Sequence, residues 1–403
     1  AQRGQNRRAL TYLEQAAPFL RQAGSLQERL EGARQQAQQL NQLLRYHEAI
    51  RVLEDITRLN FSDQNLPIRR ALGWVYIQLA LTLLNTGQYR RSAAAAQNAV
   101  EIFQTALDAP GLANATLATS LLDLHTGTYA RGLARLQEAK PQLAQLNDSS
   151  FMAYVCALEA ALYTALGQLD DAWHAQIDAL RLADANHLST VQSWVYSIRG
   201  DAFFFLRAYD QAVEAHRQSL DISSEHVAAI SSLARLGSAL VMNGQRENGF
   251  TFLRRAIDLS SQTDLDLVRL RAELFQSAGL LLAGYPREAL HQAAQTANEI
   301  ERRGGGMQSI PYYWISASVH EHDQPEEALE SARQLITRAH NAGSPFFELS
   351  GIELGLRLPL DYPERRLWRT QGRQILKRIQ IQTTRPELLP ALAGYIEKLQ
   401  LPG

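Results

Sequence analysis

Apolar residues make up nearly half of this chain, yet no apolar run exceeds about a dozen positions, and they return at helical spacing between short turns. The turns themselves repeat. Gly87-Gln88-Tyr89 is the fullest form, and the unit recurs at Gly127-Thr128-Tyr129, Gly167-Gln168-Leu169 and Arg207-Ala208-Tyr209. It continues at Gly244, Gly284 and Asp323, and backwards at Leu44 and Gly4. The steps are 40, 43, 40, 40, 40, 37, 40 and 39 residues. Five positions after each turn stands a small side chain: Ala9, Ala49, Ser92, Gly132, Ala172, Ala212, Gly249, Ala289 and Ala328. Seven before it stand Ala37, Ala80, Ser120, Ala160, Gly200, Gly237, Ser277 and Ser316.

Helix backbones approach closely only where side chains are this small. Each unit therefore predicts two helices, one on either side of the turn, each with one close-approach point. A third column twelve after the turn is mostly small, with Ile56, Thr296 and Leu335 as exceptions. The large position eleven before the turn holds Tyr76, Tyr196 and Tyr312, and Cys156 and Leu233 fill it apolarly; Thr116 and Glu273 depart from it, which predicts looser or tilted packing there. Pro110, Pro311, Pro345 and Pro359 fall near expected helix ends, where a missing N–H costs little.

Large, small, Gly-x-Tyr, small, small at these offsets resembles the tetratricopeptide pattern over nearly the whole chain. That resemblance implies an all-α, right-handed α-α superhelix, a solenoid of about nine helical hairpins. The 40-residue unit is similar to the sensor arm of the maltose-regulator (MalT-like) type of signal-transduction ATPase and of related LuxR-type regulators, and to the arrays of kinesin light chains. The expected organisation is a repeat array over 1–360 and a degenerate repeat with C-terminal capping helices over 361–403, those helices spanning about Glu364–Gln380 and Pro386–Gln400. Because Gly4 aligns with a turn, the chain is expected to begin inside a repeat, with the array or another domain continuing upstream.

In stacked hairpins the first helix of each pair lines the concave face. Thirteen before the turn, this gives Trp74, Asn114, Tyr154, Trp194, Ser231, Arg271 and Ile310, with three aromatics in the first four places. Further groove positions give Asn85, His125, Asp201, Phe204, Phe205, His320 and Glu321. Aromatic anchors with a few polar groups suit a protein or peptide segment; the competing reading packs Trp74 and Trp194 between neighbouring repeats. Six before the turn, Leu81, Leu121, Ala161, Asp201, Ser238, Ala278 and Ala317 supply no cation set for clamping a terminal carboxylate, which disfavours that chaperone-type mode.

Charge narrows the partners. A formal charge of −1 provides no global field for nucleic acid or an anionic membrane, so nucleic acid is disfavoured for this region and no membrane association is expected. One local excess stands out: Arg365, Arg366, Arg369, Arg373, Lys377, Arg378 and Arg385 against Glu364, a patch for phosphates or an acidic domain, or simply a solvated cap. The single cysteine, Cys156, cannot form an internal disulfide and points to a reducing, cytoplasmic location. No phosphate-cradling loop, paired cysteines or nucleophile elbow occurs. His320-Glu321-His322 has the wrong spacing for a helical zinc site, and Gly304-Gly305-Gly306 ends a helix or forms a hinge. The expected function is a non-enzymatic, cofactor-free scaffold, the sensor or regulatory region of a larger signalling or transcription-regulatory protein. Its partner would be a protein, a peptide, another domain of the same polypeptide or a small-molecule effector. The alternative is a free-standing adaptor tethering partners along its groove.

Overall fold

The computed structural model describes residues 2–59, 65–145, 147–223, 226–359 and 361–399. The helix end expected at Gln400, and the domain limits Ala1, Leu360 and Gly403, lie outside them. Among the described residues there are 20 α-helices, one short 3-10 turn and no strand. The first helices are α1 (Gln2–Ala23), α2 (Leu26–Gln42), α3 (Tyr46–Thr57), α4 (Leu66–Asn85), α5 (Tyr89–Thr105), α6 (Ala109–Thr126) and α7 (Tyr129–Ala144). Next come α8 (Ser149–Ala165), α9 (Leu169–Ala185), α10 (Ser189–Phe205), α11 (Tyr209–Ile222), α12 (His226–Met242), α13 (Arg246–Ser261) and α14 (Asp266–Leu282). The remainder are α15 (Pro286–Arg303), α16 (Ile310–His320), α17 (Pro325–Ala342), α18 (Pro345–Arg357), α19 (Tyr362–Gln382) and α20 (Leu389–Lys398). Among the described residues these form nine helical hairpins, α2/α3 through α18/α19, flanked by α1 and α20.

The turns fall where the repeat puts them. Gly87, Gly127, Gly167, Gly244 and Gly284 adopt positive φ, and so do Leu44 and Arg207 at the same repeat position. The next residue returns its N–H to a carbonyl five back, as in Arg45 to Leu40 (2.9 Å), Gln88 to Leu83 (2.9 Å) and Ala208 to Phe203 (2.9 Å). These bonds satisfy carbonyls that the helix end leaves open, and they offset the roughly 1–2 kcal/mol that a side chain costs in the left-handed region. Gly4 is the exception: its backbone is helical within α1, so no turn forms there. With the turn dropped at Gly4, the ninth hairpin comes from the far end, where α18 leads into α19. Prolines 110, 311 and 345 occupy first-turn positions, whereas Pro18 and Pro141 lie inside α1 and α7.

The small columns are contact points. A Cβ on Gly237 would sit 3.0 Å from the Gly249 carbonyl oxygen, and one on Gly249 2.9 Å from that of Gly237. Ser92 instead donates its hydroxyl to the Ala80 carbonyl at 2.8 Å. The two departures in the α14/α15 hairpin compensate each other, because the Thr296 hydroxyl donates to Glu273 at 3.1 Å while Arg269 donates to the same carboxylate at 2.8 Å. A polar network replaces apolar packing there, so the expected loosening does not follow from Glu273. Thr116 is likewise buried. Cys156 is buried in the core, as its repeat position requires.

The described chain divides into two compact units: residues 1–122, 135–147 and 259–267, and residues 123–134, 148–258 and 268–403. In the first, Phe103 is enclosed by Gly73 and Gly111, whose missing side chains make the space it fills. In the second, α17 to α20 meet α9 to α12 around one core containing Leu169, Phe203, Leu240, Phe346, Ile352, Trp368, Ile379 and Tyr395. The α19–α20 connection is tied to α9: Asp170 accepts hydrogen bonds from the Thr384 N–H (2.8 Å), the Thr384 hydroxyl (2.6 Å) and the Arg385 N–H (3.2 Å).

Candidate functional site

The second unit encloses two adjoining cavities of about 470 and 120 Å³. The larger is walled by aromatic rings from helices distant in sequence. Phe204 of α10 meets Phe275 of α14 edge-on at 5.7 Å, and Phe205 stacks on Phe346 of α18 at 5.6 Å and 9° while meeting Phe347 edge-on at 5.5 Å. Trp314 of α16 completes the lining. Ala161, Trp194, Ile198, Leu274 and Met307 line the smaller cavity.

Asp201, Phe205, Arg235, Arg271, Phe275, Pro311 and Phe347 line both, and so mark where the cavities meet. Arg235 Nε donates to the two Asp201 oxygens at 3.3 and 3.2 Å, and its Nη1 donates to the Ser231 hydroxyl at 2.9 Å. Burial opposes ionisation of Asp201, but Arg235, Arg271 and His216 prevail and hold its pKa below the ordinary carboxylate value. His216 is 1 % exposed, its Nε2 is 3.8 Å from Asp201, and its Nδ1 has no hydrogen-bond partner among the described residues. Burial pushes its pKa down to about 4 against the pull of Asp201. Burial, then Arg271 and Arg235, push His125 down to about 3. At neutral pH both imidazoles are uncharged, and the charge at this junction resides on two guanidiniums and one carboxylate.

A second ion pair closes the far wall. Arg207, at the α10/α11 turn, pairs with Glu353 of α18 and lies over the Tyr395 ring at 5.6 Å, while Lys398 donates to the Arg207 carbonyl at 3.0 Å. Burial works against the charged Arg207, but the Glu353 hydrogen bond and charge, with Tyr395 and Tyr209, together outweigh it and raise the Arg207 pKa.

Of the residues singled out by spacing, the structure brings His125, Trp194, Asp201, Phe204 and Arg271 to these cavities. Trp194 does two things, since it also packs with Tyr154 on the Cys156–Ala179 cluster. Trp74, Asn85 and Asn114 belong to the first unit, where Trp74 packs edge-on against Phe103 at 5.5 Å and the Asn114 side chain donates to the Pro110 carbonyl at 3.0 Å. Spacing missed Arg235 and Phe275, which lie nine before their turns, and it missed His216, Phe346, Phe347 and Glu353, while it marked Arg207 as a turn residue and not as part of a site. Inspecting the position nine before the turn would have found the first two; no periodic signal announces the others.

On α19, Arg366, Arg373, Lys377 and Arg378 are exposed, Arg369 is half-buried, and Arg365 donates to the Leu358 carbonyl at 3.1 Å. Arg385 hydrogen-bonds His174, and Glu364 is held by Arg333 at 2.8 Å. His320 faces Glu327 at 3.5 Å whereas Glu321 takes Arg357 at 2.9 Å, so the His-Glu-His run diverges. The glycine run is anchored: Gly304 ends α15 at φ 88°, Arg338 bonds Glu301 at 2.7 Å, and Gln308 donates to the His125 carbonyl at 3.0 Å. Among the described residues no helix is long and apolar enough to cross a membrane.

No protein-family model matches the sequence, and no curated protein matches it significantly. Solved structures do. A Rap protein complexed with the competence and sporulation factor superposes with a TM-score of 0.61 at 11 % identity, over 89 % of this chain and 100 % of that one. The quorum sensor NprR from B. thuringiensis, in its apo form, gives 0.47 at 10 % identity, over 89 % and 100 %. A signal-transduction ATPase with a tetratricopeptide sensor from Pyrococcus horikoshii gives 0.47 at 12 %, over 94 % of this chain and 55 % of that one. In fold, this chain is a tetratricopeptide-like helical-repeat protein.

Proposed function

We propose that the chain is a non-enzymatic binding scaffold whose second unit takes a peptide or a protein segment into the aromatic-walled cavity. The observation that carries this reading is the pair of adjoining cavities with a charged junction, together within the ~300–1,000 Å³ of ordinary ligand sites. Apolar walls supply affinity and a few fixed polar groups supply orientation. The likeness in fold to a Rap protein bound to a signalling factor supports a peptide as occupant. We further read the chain as the cytoplasmic sensor or regulatory region of a larger signalling protein, with 1–360 as the array, 361–403 as its cap and the α19 cations facing solvent or a neighbouring domain. A free-standing adaptor is the second reading, and the reading frame on either side of the chain distinguishes the two.

The binding claim is tested with the purified chain and a randomised library of acetylated, amidated hexapeptides. Retained peptides should compete with one another and weaken on Phe275→Ala, with helix content unchanged. Retention of none, or binding indifferent to Phe275→Ala and Phe347→Ala, would overturn it.

A further inference from the structure

The geometry points to the smaller cavity as the seat of one uncharged aliphatic side chain of the bound segment, of valine to leucine size, with Ala161 setting the limit. This rests on the reading of the cavities as a peptide site and names what one part of that site selects. Three observations lead to it.

The first is how the space arises. Ala161 lines the smaller cavity from α8, six positions before the Gly167 turn. The same repeat position carries Leu81 and Leu121 in the two preceding hairpins. Alanine leaves out the carbons that leucine supplies there, and the space is bounded by Trp194, Ile198, Leu274 and Met307.

The second is size and what fixes it. The cavity measures about 120 Å³, whereas an apolar cavity of roughly 150 Å³ holds a benzene ring. It therefore suits a branched aliphatic group and is too small for a phenyl or indole ring. Its wall is held in place. Met307 fills the space left by the missing side chain of Gly127, where a Cβ would fall 1.8 Å from Met307 Cγ. The next residue, Gln308, donates from its side-chain amide to the His125 carbonyl at 3.0 Å. Opposite, Trp194 and Ala161 pack on Ala160, Ala175 and Ile198.

The third is polarity. Polar groups around the smaller cavity are already engaged: Arg235 bonds Asp201 at 3.2 Å, Arg271 has a partner of its own, and the Thr164 hydroxyl donates to the Ala160 carbonyl at 2.8 Å. Lys398 lines only the larger cavity and stands away from this seat. A charged side chain placed in the smaller cavity gives up its water without a new partner, whereas an aliphatic one gains by burying its carbons.

The test uses the same blocked hexapeptides and reads their sequences. We expect one position enriched in valine, isoleucine or leucine among the retained peptides. In the tightest peptide, alanine at that position should weaken binding by roughly ten- to a hundredfold, the loss for two or three buried carbons. Phenylalanine or glutamate there should weaken it as well. In Ala161→Leu the order should reverse, with the alanine peptide binding more tightly than the aliphatic one. Met307→Ala widens the seat, and the phenylalanine peptide should gain on the aliphatic one. A misfolded variant loses all the peptides together and cannot reorder them. If both variants keep the wild-type order while binding still depends on Phe275, the aliphatic seat is wrong and the peptide site stands. Retained peptides with no aliphatic position likewise overturn the seat alone. Retention of no peptide overturns both.

Discussion

Arg207 and Glu353 lie 146 positions apart and form an ion pair between the α10/α11 turn and α18, with the aromatic stack of Phe205 on Phe346 beside them. The pair fixes how the late hairpins of the second unit meet its early ones. Glu353→Ala leaves a half-buried guanidinium without its carboxylate, and we expect a loss of about 2–3 kcal/mol, below the ~3–5 of a fully buried pair. A double-mutant cycle with Arg207→Met in urea denaturation should give a clearly favourable coupling. Additive effects would mean the pair merely decorates the wall.

Gly127 and Gly244 have the same repeat position and positive φ, yet their surroundings differ. A Cβ at Gly127 would fall 1.8 Å from Met307 Cγ, whereas one at Gly244 meets nothing within 4 Å. Gly244→Ala should therefore cost only the backbone strain, about 1–2 kcal/mol. Gly127→Ala should cost at least ~1 kcal/mol more, because the 3-10 turn carrying Met307 must move. Equal melting temperatures for the two variants would show that the Met307 contact has no consequence.

His216 gives stability a pH dependence of known sign. Its folded pKa is near 4 and its unfolded value near 6.5, so its contribution is fully present above pH 6.5. As pH falls from 6.5 towards 4, the unfolded state takes up a proton that the folded state refuses, and stability declines by up to about 1.4 kcal/mol per pH unit before levelling off below 4. His125 acts in the same direction to about 3, and Asp201 adds a loss below its unfolded value because its folded pKa is depressed. His216→Gln should flatten the slope of denaturation midpoint between pH 6.5 and 4. An unchanged slope would remove His216 as its source.

Asp170 holds the α19–α20 connection through three hydrogen bonds, two of them from backbone N–H groups. Asp170→Ala should raise amide hydrogen exchange in residues 383–399 while leaving α4 and α5 protected. The expected destabilisation is about 1–3 kcal/mol, the cost of removing a charged acceptor from its donors. Unaltered exchange in that segment would mean that Leu388, Leu392 and Tyr395 hold it without help.

What the sequence determined by itself is local. A left-handed residue, a small residue five later and another seven earlier are set by the chain's own turn and by two helix backbones adjacent in sequence, so they repeat and can be read by counting. Even Leu44 and Arg207, which lack glycine's freedom, are recovered because the helix-end hydrogen bonds around them belong to the same short segment. Gly4 misled because the alignment there rested on one glycine, and glycine is also tolerated inside a helix. Tertiary structure alone decided the site. Asp201, Arg235 and Arg271 sit at different offsets from three different turns, and Phe346, Phe347 and Glu353 come from a helix roughly 140 positions beyond Phe205 and Arg207. Their convergence depends on how the second unit brings α18 against α10, a sum of small rotations over many hairpins that no single repeat encodes.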